Sequence, residues 1–241
     1  QSFDPVVFRQ MRVLIRKSAL MLGVVLSASC AMLPSEISSG PDYIVAFKTA
    51  RLPAFFRWPV TTAEHGWFDV LTKTGWTRVE IMGSSSGVLV ESIDELEARS
   101  DVRFGDRQVH VQKVYEGDEA RVLAEQILAK AKQFPWADDY VPYPGPNSNT
   151  FVEWLSHEVP GLWLEQYGTA VGKDYPINGW VSLGTTTTRT GLELETPYLG
   201  VQAGVVEGVE LHLLCMTIGV GIWPPQLKLP LLPGLPWGLA R

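Results

Sequence analysis

Cysteine, basic residues and long apolar runs are all scarce in this chain of 241 residues. Two cysteines cannot make a disulfide scaffold or a cysteine-rich zinc site. The 20 lysines and arginines are outnumbered by 26 acidic residues, and the net charge of −6 argues against binding of nucleic acid through its phosphates. Only one apolar run, near the N-terminus, is long enough to consider as a membrane segment, which excludes a polytopic membrane protein. With 46% hydrophobic residues the chain can still build a core, so it is not wholly disordered.

Residues 1–33 have the parts of an export signal or a membrane anchor. Basic residues precede an apolar run from Ser18 to Ser29, and small side chains lie just before Cys30. The run is shorter than the roughly 20 residues of a spanning helix. Cleavage by a signal peptidase, retention as an anchor and lipidation at Cys30 all remain open. All three place the rest of the chain outside the cytoplasm, and we expect a membrane-associated protein on the periplasmic side of a bacterial cell envelope.

The rest of the chain is predicted to form one α+β domain between a linker and a tail. Residues 34–42 contain serine, glycine and proline and predict the linker, and residues 43–222 carry the domain. The order of elements predicts an antiparallel sheet with packed helices. Strands are expected at 43–47, 66–71, 76–82 and 109–115, helices at about 119–134 (capped by Asp118) and 149–158, and further short strands from residue 180. The tail, residues 223–241, is too rich in proline for a helix or a central strand.

The stretch PGPNSNTFV, residues 144–152, is the motif that could carry chemistry. Its prolines fix the approach of the chain, Gly145 allows a tight turn, and Asn147 or Ser148 caps the helix that follows. A side chain at such a position lies beside unpaired backbone N–H groups and the positive end of the helix dipole. This environment stabilises an oxyanion, although asparagine and serine are also ordinary capping residues. From the residues alone, both capping and catalysis remain open.

Several blocks of the chain resemble a bacterial family of envelope proteins, the domain-of-unknown-function 3750 family. The blocks are HGWFDV (65–70), YPGPNSNTFVEWLSHEVPGL (143–162), AVGKDY (170–175) and GVQAGVVEGVELHLL (200–214). The resemblance extends roughly from residue 43 to residue 230 and implies no activity. Lys173 and Asp174 in the third block fit the family pattern, either as a loop ion pair or as lining of a binding pocket.

The segment NSNTFV, residues 147–152, is also similar to the Asn-Cys-x-x-Phe-Val signature of the permuted papain-like superfamily. That superfamily includes the NlpC-type peptidases and the lecithin retinol acyltransferases. The resemblance implies a permuted papain-like fold in which a histidine on an early strand precedes the nucleophile at the start of a later helix. It therefore implies Ser148 as nucleophile, His65 as base and Glu80 as the residue that orients His65, with helix-start amides holding the oxyanion.

Ser148 stands where the superfamily has its nucleophilic cysteine. A helix N-terminus and an imidazolium can drive a thiol to thiolate, whereas a hydroxyl needs an aligned base at the moment of attack. We therefore expect a non-catalytic relative that binds a ligand or a partner, with Asn147, Asn149, Lys173 and Asp174 as binding residues. It could serve as an accessory subunit of a membrane complex. The alternative is a serine-variant acyl hydrolase or acyltransferase acting on lipid or peptidoglycan. No cofactor is expected, and no grouping has the spacing of a metal site.

Two exposed-surface candidates complete the predictions. Phe55, Phe56 and Trp58 form either a loop that contacts a membrane or a protein subunit, or part of the core. The C-terminal tail either wraps the domain or docks on a partner. Cys215 is predicted to be a small buried hydrophobe and His157 a solvated or capping histidine, while His110 and His212 receive no role.

Overall fold

The computed structural model describes residues 42–58, 60–223, 225–230 and 232–235. These residues form two antiparallel sheets and three α-helices, so the predicted α+β class is confirmed at this level, with two sheets in place of one. The predicted export segment with Cys30, and the linker up to residue 41, lie outside the described residues. None of the described helices has the length and apolar character needed to cross a bilayer.

The first sheet has six strands and is covered on both faces. They are β1 (Ile44–Arg51), β2 (Glu64–Thr72), β3 (Gly75–Glu80), β4 (Leu89–Ile93), β5 (Val102–Arg103) and β6 (Arg107–Glu116). Their order is β4-β3-β2-β1-β6-β5, and a 3-10 turn at Val60–Thr62 precedes β2. Seven of the eight residues of β1 are buried, because this apolar strand lies in the middle of the sheet between β2 and β6.

Three helices lie against this first sheet. They are α1 (Glu95–Arg99), α2 (Gly117–Ala131) and α3 (Ser148–Glu158). One face of the sheet packs with α2 and α3 in a core that includes Phe47, Phe68, Ile127, Phe151 and Leu155. The other face, beside α1, contains a buried ionic cluster in which Lys48 Nζ and Arg78 Nε each lie 2.8 Å from the carboxylate of Asp69.

The second sheet is a seven-stranded meander at the C-terminal end of the described chain. Its strands are β7 (Ser182–Thr185), β8 (Gly191–Glu195), β9 (Leu199–Gly204), β10 (Gly208–Leu213), β11 (Met216–Gly221), β12 (Gln226–Leu229) and β13 (Leu232–Leu235). Each strand pairs with the next along the chain. The expectation that the tail holds no central strand is wrong, because β12 pairs with both β11 and β13. The four residues of β12 contain no proline, and Pro225 and Pro230 lie just outside it.

The elements predicted within the first sheet agree with the structure to within a few residues. The first long helix begins at Gly117 with Glu116 at its N-cap, so Asp118 lies in the first turn and does not cap it. No regular pattern in the sequence predicted β4, α1 and β5 between residues 89 and 103. These are short elements, and β5 has only two residues, too few for a periodic pattern to be visible.

Candidate functional site

A pocket of about 1160 Å³ opens beside the N-terminus of α3 and the start of β2. Its lining is largely apolar and includes Leu52, Phe55, Phe56, Met82, Phe104 and Met216. His65, Ser148, Asn147 and Asn149 also line it, so the structure brings these four predicted site residues together. Drug-sized ligands occupy pockets of about 300–1,000 Å³, so this pocket has room for a large apolar molecule.

Asn147, and not Ser148, caps α3. The Asn147 Oδ1 atom accepts hydrogen bonds from the backbone N–H groups of Asn149 (2.9 Å) and Thr150 (3.3 Å). In return, the Thr150 hydroxyl accepts a hydrogen bond from the Asn147 backbone N–H at 3.1 Å, which completes a capping box. A Cβ atom at Gly172 would lie only 2.2 Å from Asn147 Nδ2, so the close approach of these two segments requires glycine there.

The amide groups of Asn147 and Asn149 tie loops and strands to the start of α3. Asn147 Nδ2 donates to the carbonyl oxygens of Pro142 (3.1 Å) and Val171 (3.0 Å). Asn149 Nδ2 donates to the carbonyls of Glu64 (2.8 Å) and Val171 (3.0 Å). Because Glu64 directly precedes His65, this bond fixes α3 against the strand that carries the histidine. A role of either asparagine in ligand binding stays a prediction.

Ser148 is buried and lies beside a tyrosine that no sequence pattern had singled out. The phenol of Tyr140 lies near the hydroxyl and the backbone N–H of Ser148. Burial is the largest influence on Tyr140 and raises the pKa of its phenol, while the neighbouring Ser148 groups act in the opposite direction. The ring of Tyr140 packs on Gly83, where a Cβ atom would lie 3.0 Å from the ring. Tyr140 lies a few residues before the PGPNSNTFV motif, so its position was the one signal that could have found it.

His65 is held by an acid and an arginine. Its Nε2 atom lies 2.8 Å from Glu80 Oε2, and Arg103 Nη2 donates to both carboxylate oxygens of Glu80 at 2.6 and 2.7 Å. Burial opposes ionisation of Glu80, but the hydrogen bonds and positive charges of His65 and Arg103 outweigh it and lower the pKa of Glu80 to about 2. The structure thus places Glu80 where the sequence comparison expected a residue that orients His65. Arg103 lies on the two-residue strand β5, and no sequence pattern predicted its contact with Glu80.

Aromatic rings fix the imidazole of His65 in place. The ring of Trp67 stacks at 5.8 Å between centroids, and Phe104 meets the imidazole edge-on at 5.6 Å. The guanidinium of Arg103 lies 4.5 Å from the Trp67 ring centroid. With Nε2 directed to Glu80, the Nδ1 atom of His65 is the ring nitrogen that a pocket ligand or a nucleophile would use.

Two of the backbone amides at the start of α3 are already occupied. The N–H groups of Asn149 and Thr150 donate to the side chain of Asn147. These two amides therefore serve the helix cap. The expectation that helix-start amides hold an oxyanion stays a prediction.

Lys173 and Asp174 lie in a separate buried cluster. Lys173 Nζ contacts Asp174 Oδ1 and lies 3.1 Å from Glu210 Oε2, while Thr217 Oγ1 donates to Asp174 Oδ2 at 2.7 Å. Neither residue lines the pocket of His65 and Ser148. The two residues form an ion pair within a turn, as one of the two predictions had it, and both side chains are buried.

Two histidine–carboxylate groups, not visible as spacings in the sequence, come together in the described residues. In one, Glu153, His157 and Glu193 place their ligand atoms within 4.8 Å of one another. His157 was predicted to be solvated or capping. It lies in the last turn of α3, is partly buried, and its Nε2 atom lies 3.5 Å from each of the two carboxylates. This group could hold a divalent cation, whereas the other group, Asp174, Glu210 and His212, is already neutralised by lysines.

The aromatic loop after β1 is exposed. Phe55 and Trp58 are 78% and 80% exposed and Phe56 is 40% exposed, so their burial in the core is excluded. Phe55 and Phe56 line the pocket. Cys215 is buried as expected, and burial raises the pKa of its thiol to about 12, which makes it unreactive.

The fold and pocket define an α+β protein with a histidine–glutamate pair beside a serine at a helix start. A family model described as a protein of unknown function (DUF3750) matches residues 43–175, which is more than half of the chain. The chain belongs to this family, as the sequence motifs indicated, although the match ends at residue 175 and not near residue 230. No curated protein matches the chain, and no solved structure matches it.

Proposed function

We propose that the chain is a non-catalytic binding protein of the bacterial cell envelope. Its pocket beside α3 would take up a ligand with an apolar body and a hydrogen-bonding end. The observation that carries this proposal is the composition of the pocket, in which apolar walls surround a few polar groups near the start of α3. A large apolar pocket with a few polar groups is the usual form of a small-molecule binding site.

The state of Ser148 supports binding over catalysis. Its side chain is buried beside Tyr140, and Asn147 occupies the next amides of α3. A serine nucleophile needs its hydroxyl directed to a base and free donors for the oxyanion. His65 would instead offer Nδ1 to the polar end of the ligand.

The finer fold and the location are part of the same proposal. A histidine on β2, an acid on β3 and a serine opening a later helix follow the order of the permuted papain-like superfamily. We propose that the chain is a relative of that superfamily in which Ser148 replaces the nucleophilic cysteine. The N-terminal segment and the exposed aromatic loop of Phe55, Phe56 and Trp58 would hold it at the membrane, where apolar ligands are abundant.

Binding of a neutral fluorescent lipid tests this proposal. The full chain is titrated with cis-parinaroyl glycerol, and the variant Leu52→Trp fills the pocket with a larger side chain. We expect saturable binding that weakens by about tenfold or more in Leu52→Trp, equivalent to about 1.4 kcal/mol or more. The matched control Leu96→Trp lies on α1, where Leu96 is exposed and away from the pocket, and should bind like the unaltered chain. No saturable binding, or equal binding by all three proteins, would overturn the proposal.

A serine acyl hydrolase or acyltransferase acting on lipid or peptidoglycan is the second candidate. The buried chain from His65 through Glu80 to Arg103 favours it, because a base held by an ionised acid is what a serine nucleophile requires. Ser148 Oγ would attack an acyl carbonyl while its proton passes to His65 Nδ1. The leaving group would take that proton, and water would then release the acyl group. Covalent labelling by an acyl phosphonate that is lost in Ser148→Ala and kept in Leu96→Trp would establish this candidate and exclude the non-catalytic one.

A further inference from the structure

The outer face of the seven-stranded sheet is apolar. Along its strands, exposed aliphatic side chains alternate with buried polar ones. The exposed set includes Leu192, Leu194, Val201, Leu211, Ile218 and Val220. These residues lie on four neighbouring strands, from β8 to β11, so they form one continuous face. A sheet with one face in water normally has the opposite arrangement, with its polar side chains outside.

The polar side chains of the same strands point inward and neutralise one another there. His212 Nδ1 lies 2.6 Å from Glu195 Oε1, and its Nε2 lies 3.1 Å from Glu210 Oε2. Lys228 Nζ on β12 contacts Glu210 Oε1. Reversing the sheet to expose its charges would break this network, so the outward direction of the aliphatic residues is fixed by the inner face.

Charge is nearly absent from the outer surface of this region. Of the charged residues among the described positions 180–232, Arg189 in the turn between β7 and β8 is the one that is exposed. Exposed apolar patches of more than a few hundred Å² are rare on monomeric proteins in water and mark a surface that meets another apolar phase.

We propose that this outer face lies against the hydrocarbon of a lipid membrane. The position of its aromatic residues favours lipid over a protein partner. Trp180 and Tyr198 lie at one end of the strands and Trp223 at the other, and all three are exposed. Aromatic residues at both ends of an aliphatic band are typical of membrane interfaces, whereas protein interfaces concentrate tryptophan and tyrosine near their centre.

The length of the strands limits the extent of this contact. The six residues of β10 extend about 20 Å at 3.4 Å per residue, whereas the hydrocarbon core of a bilayer is about 30 Å thick. The face is therefore too short to span the core and is suited to lie along one surface of the membrane, with the aromatic residues at both ends of its strands at the level of the headgroups. This inference does not rest on the ligand pocket, and filling the pocket with Leu52→Trp should leave it unchanged.

Spin labels on the full chain test the proposal. Cys30→Ser and Cys215→Ala remove the native thiols, and Leu211→Cys places a label at the centre of the outer face. The matched control Leu96→Cys places it on exposed α1. With phosphatidylcholine vesicles, we expect the label at 211 to become several-fold more accessible to oxygen, which dissolves in lipid, than to a water-soluble nickel chelate. The label at 96 should stay accessible to the chelate.

Because the labels report local surroundings, an N-terminal segment that binds vesicles by itself cannot produce this result at position 211. Accessibility of residue 211 to the chelate in the presence of vesicles would overturn the proposal. So would protection from both reagents without lipid, which would mean that a second copy or residues 1–33 cover the face. A second label at Val220→Cys on β11 repeats the measurement if the first variant fails to fold.

Discussion

The two sheets of this protein differ in where they place charged side chains. In the first sheet, the central strands bury aliphatic and aromatic side chains against α2 and α3, and the main ionic group, around Asp69, is confined to the other face. In the second sheet, the buried face carries glutamate, histidine and lysine, and the leucines and valines face outward. Alternation along a strand therefore shows which residues share a face. Which face is buried depends on the side chains of the neighbouring segments that pack against it.

The largest expected effect comes from the inner face of the second sheet. Lys228→Met removes the cation from between Glu165 and Glu210, so Glu165 loses its ion pair while Glu210 keeps Lys173 and His212. We expect the free energy of unfolding to fall by about 3–5 kcal/mol in urea titrations. The control Lys130→Met breaks the 2.8 Å contact with Glu158 at the surface and should cost less than about 1 kcal/mol. Similar losses in both variants would show that the inner network of the second sheet is not buried.

The same substitution at an inward and an outward leucine compares the two regions directly. Leu155→Ala on α3 opens a cavity in the core of the first sheet and should cost about 2–5 kcal/mol. Leu192→Ala on β8, where the side chain is mostly exposed, should cost less than about 1 kcal/mol in the absence of lipid. Thermal or urea unfolding of the two variants measures the difference. Equal costs would contradict the outward direction of Leu192.

Opposite pH dependences should separate the two regions. Burial opposes the charge of Glu80, but His65 and Arg103 hold its pKa at about 2, below its unfolded value, so the stability it contributes is present above about pH 4.5 and is lost as the pH falls toward 2. For His212, burial lowers the pKa, but the surrounding carboxylates outweigh burial and raise the pKa to about 9. The stability that His212 contributes is therefore complete below about pH 6.5 and is lost as the pH rises toward 9.

Each contribution is at most about 3–4 kcal/mol, from the pKa differences at about 1.36 kcal/mol per unit. Unfolding free energies of Glu80→Gln and His212→Gln, compared with the unaltered chain across this pH range, measure them. The difference caused by Glu80→Gln should shrink in acid, and that caused by His212→Gln should shrink in alkali. If the effect of Glu80→Gln shrank in alkali and that of His212→Gln shrank in acid, the partners assigned to these two residues would be wrong.

A smaller effect is expected at the helix cap beside the pocket. Asn147→Ala removes the acceptor for the amides of Asn149 and Thr150, and the loss of this cap alone should cost about 0.5–2 kcal/mol. Ser148→Ala keeps the cap and should cost less than Asn147→Ala in the same unfolding assay. If Ser148→Ala is the more costly of the two, Ser148 and not Asn147 stabilises the start of α3.

The sequence predicted the first sheet and its two long helices well because their patterns are regular. The run from Ile44 to Phe47, the apolar stripe of α2 and the Asn147 motif each indicate one local structure. It also placed His65 and Glu80 on neighbouring strands, because a short turn joins β2 and β3.

Contacts between distant segments could not be predicted in this way. Arg103 reaches Glu80 from a two-residue strand, and Lys173 meets Glu210 across 37 positions of chain. In the second sheet, the sequence Glu-Leu-Glu of β8 predicts alternation but not that the glutamates point inward. That direction follows from Lys173, Lys228 and His212, whose positions only the three-dimensional fold supplies.

Thiol labelling of neighbouring residues on β9 and β10 tests the inverted sheet most directly. In the full chain with Cys30→Ser and Cys215→Ala, one cysteine is placed at the exposed Leu211 and, in a second protein, at the buried Gln202. Without lipid, the inverted arrangement predicts that a maleimide reacts rapidly with Leu211→Cys and only upon unfolding with Gln202→Cys. Rapid reaction of Gln202→Cys and protection of Leu211→Cys in the folded protein would contradict it.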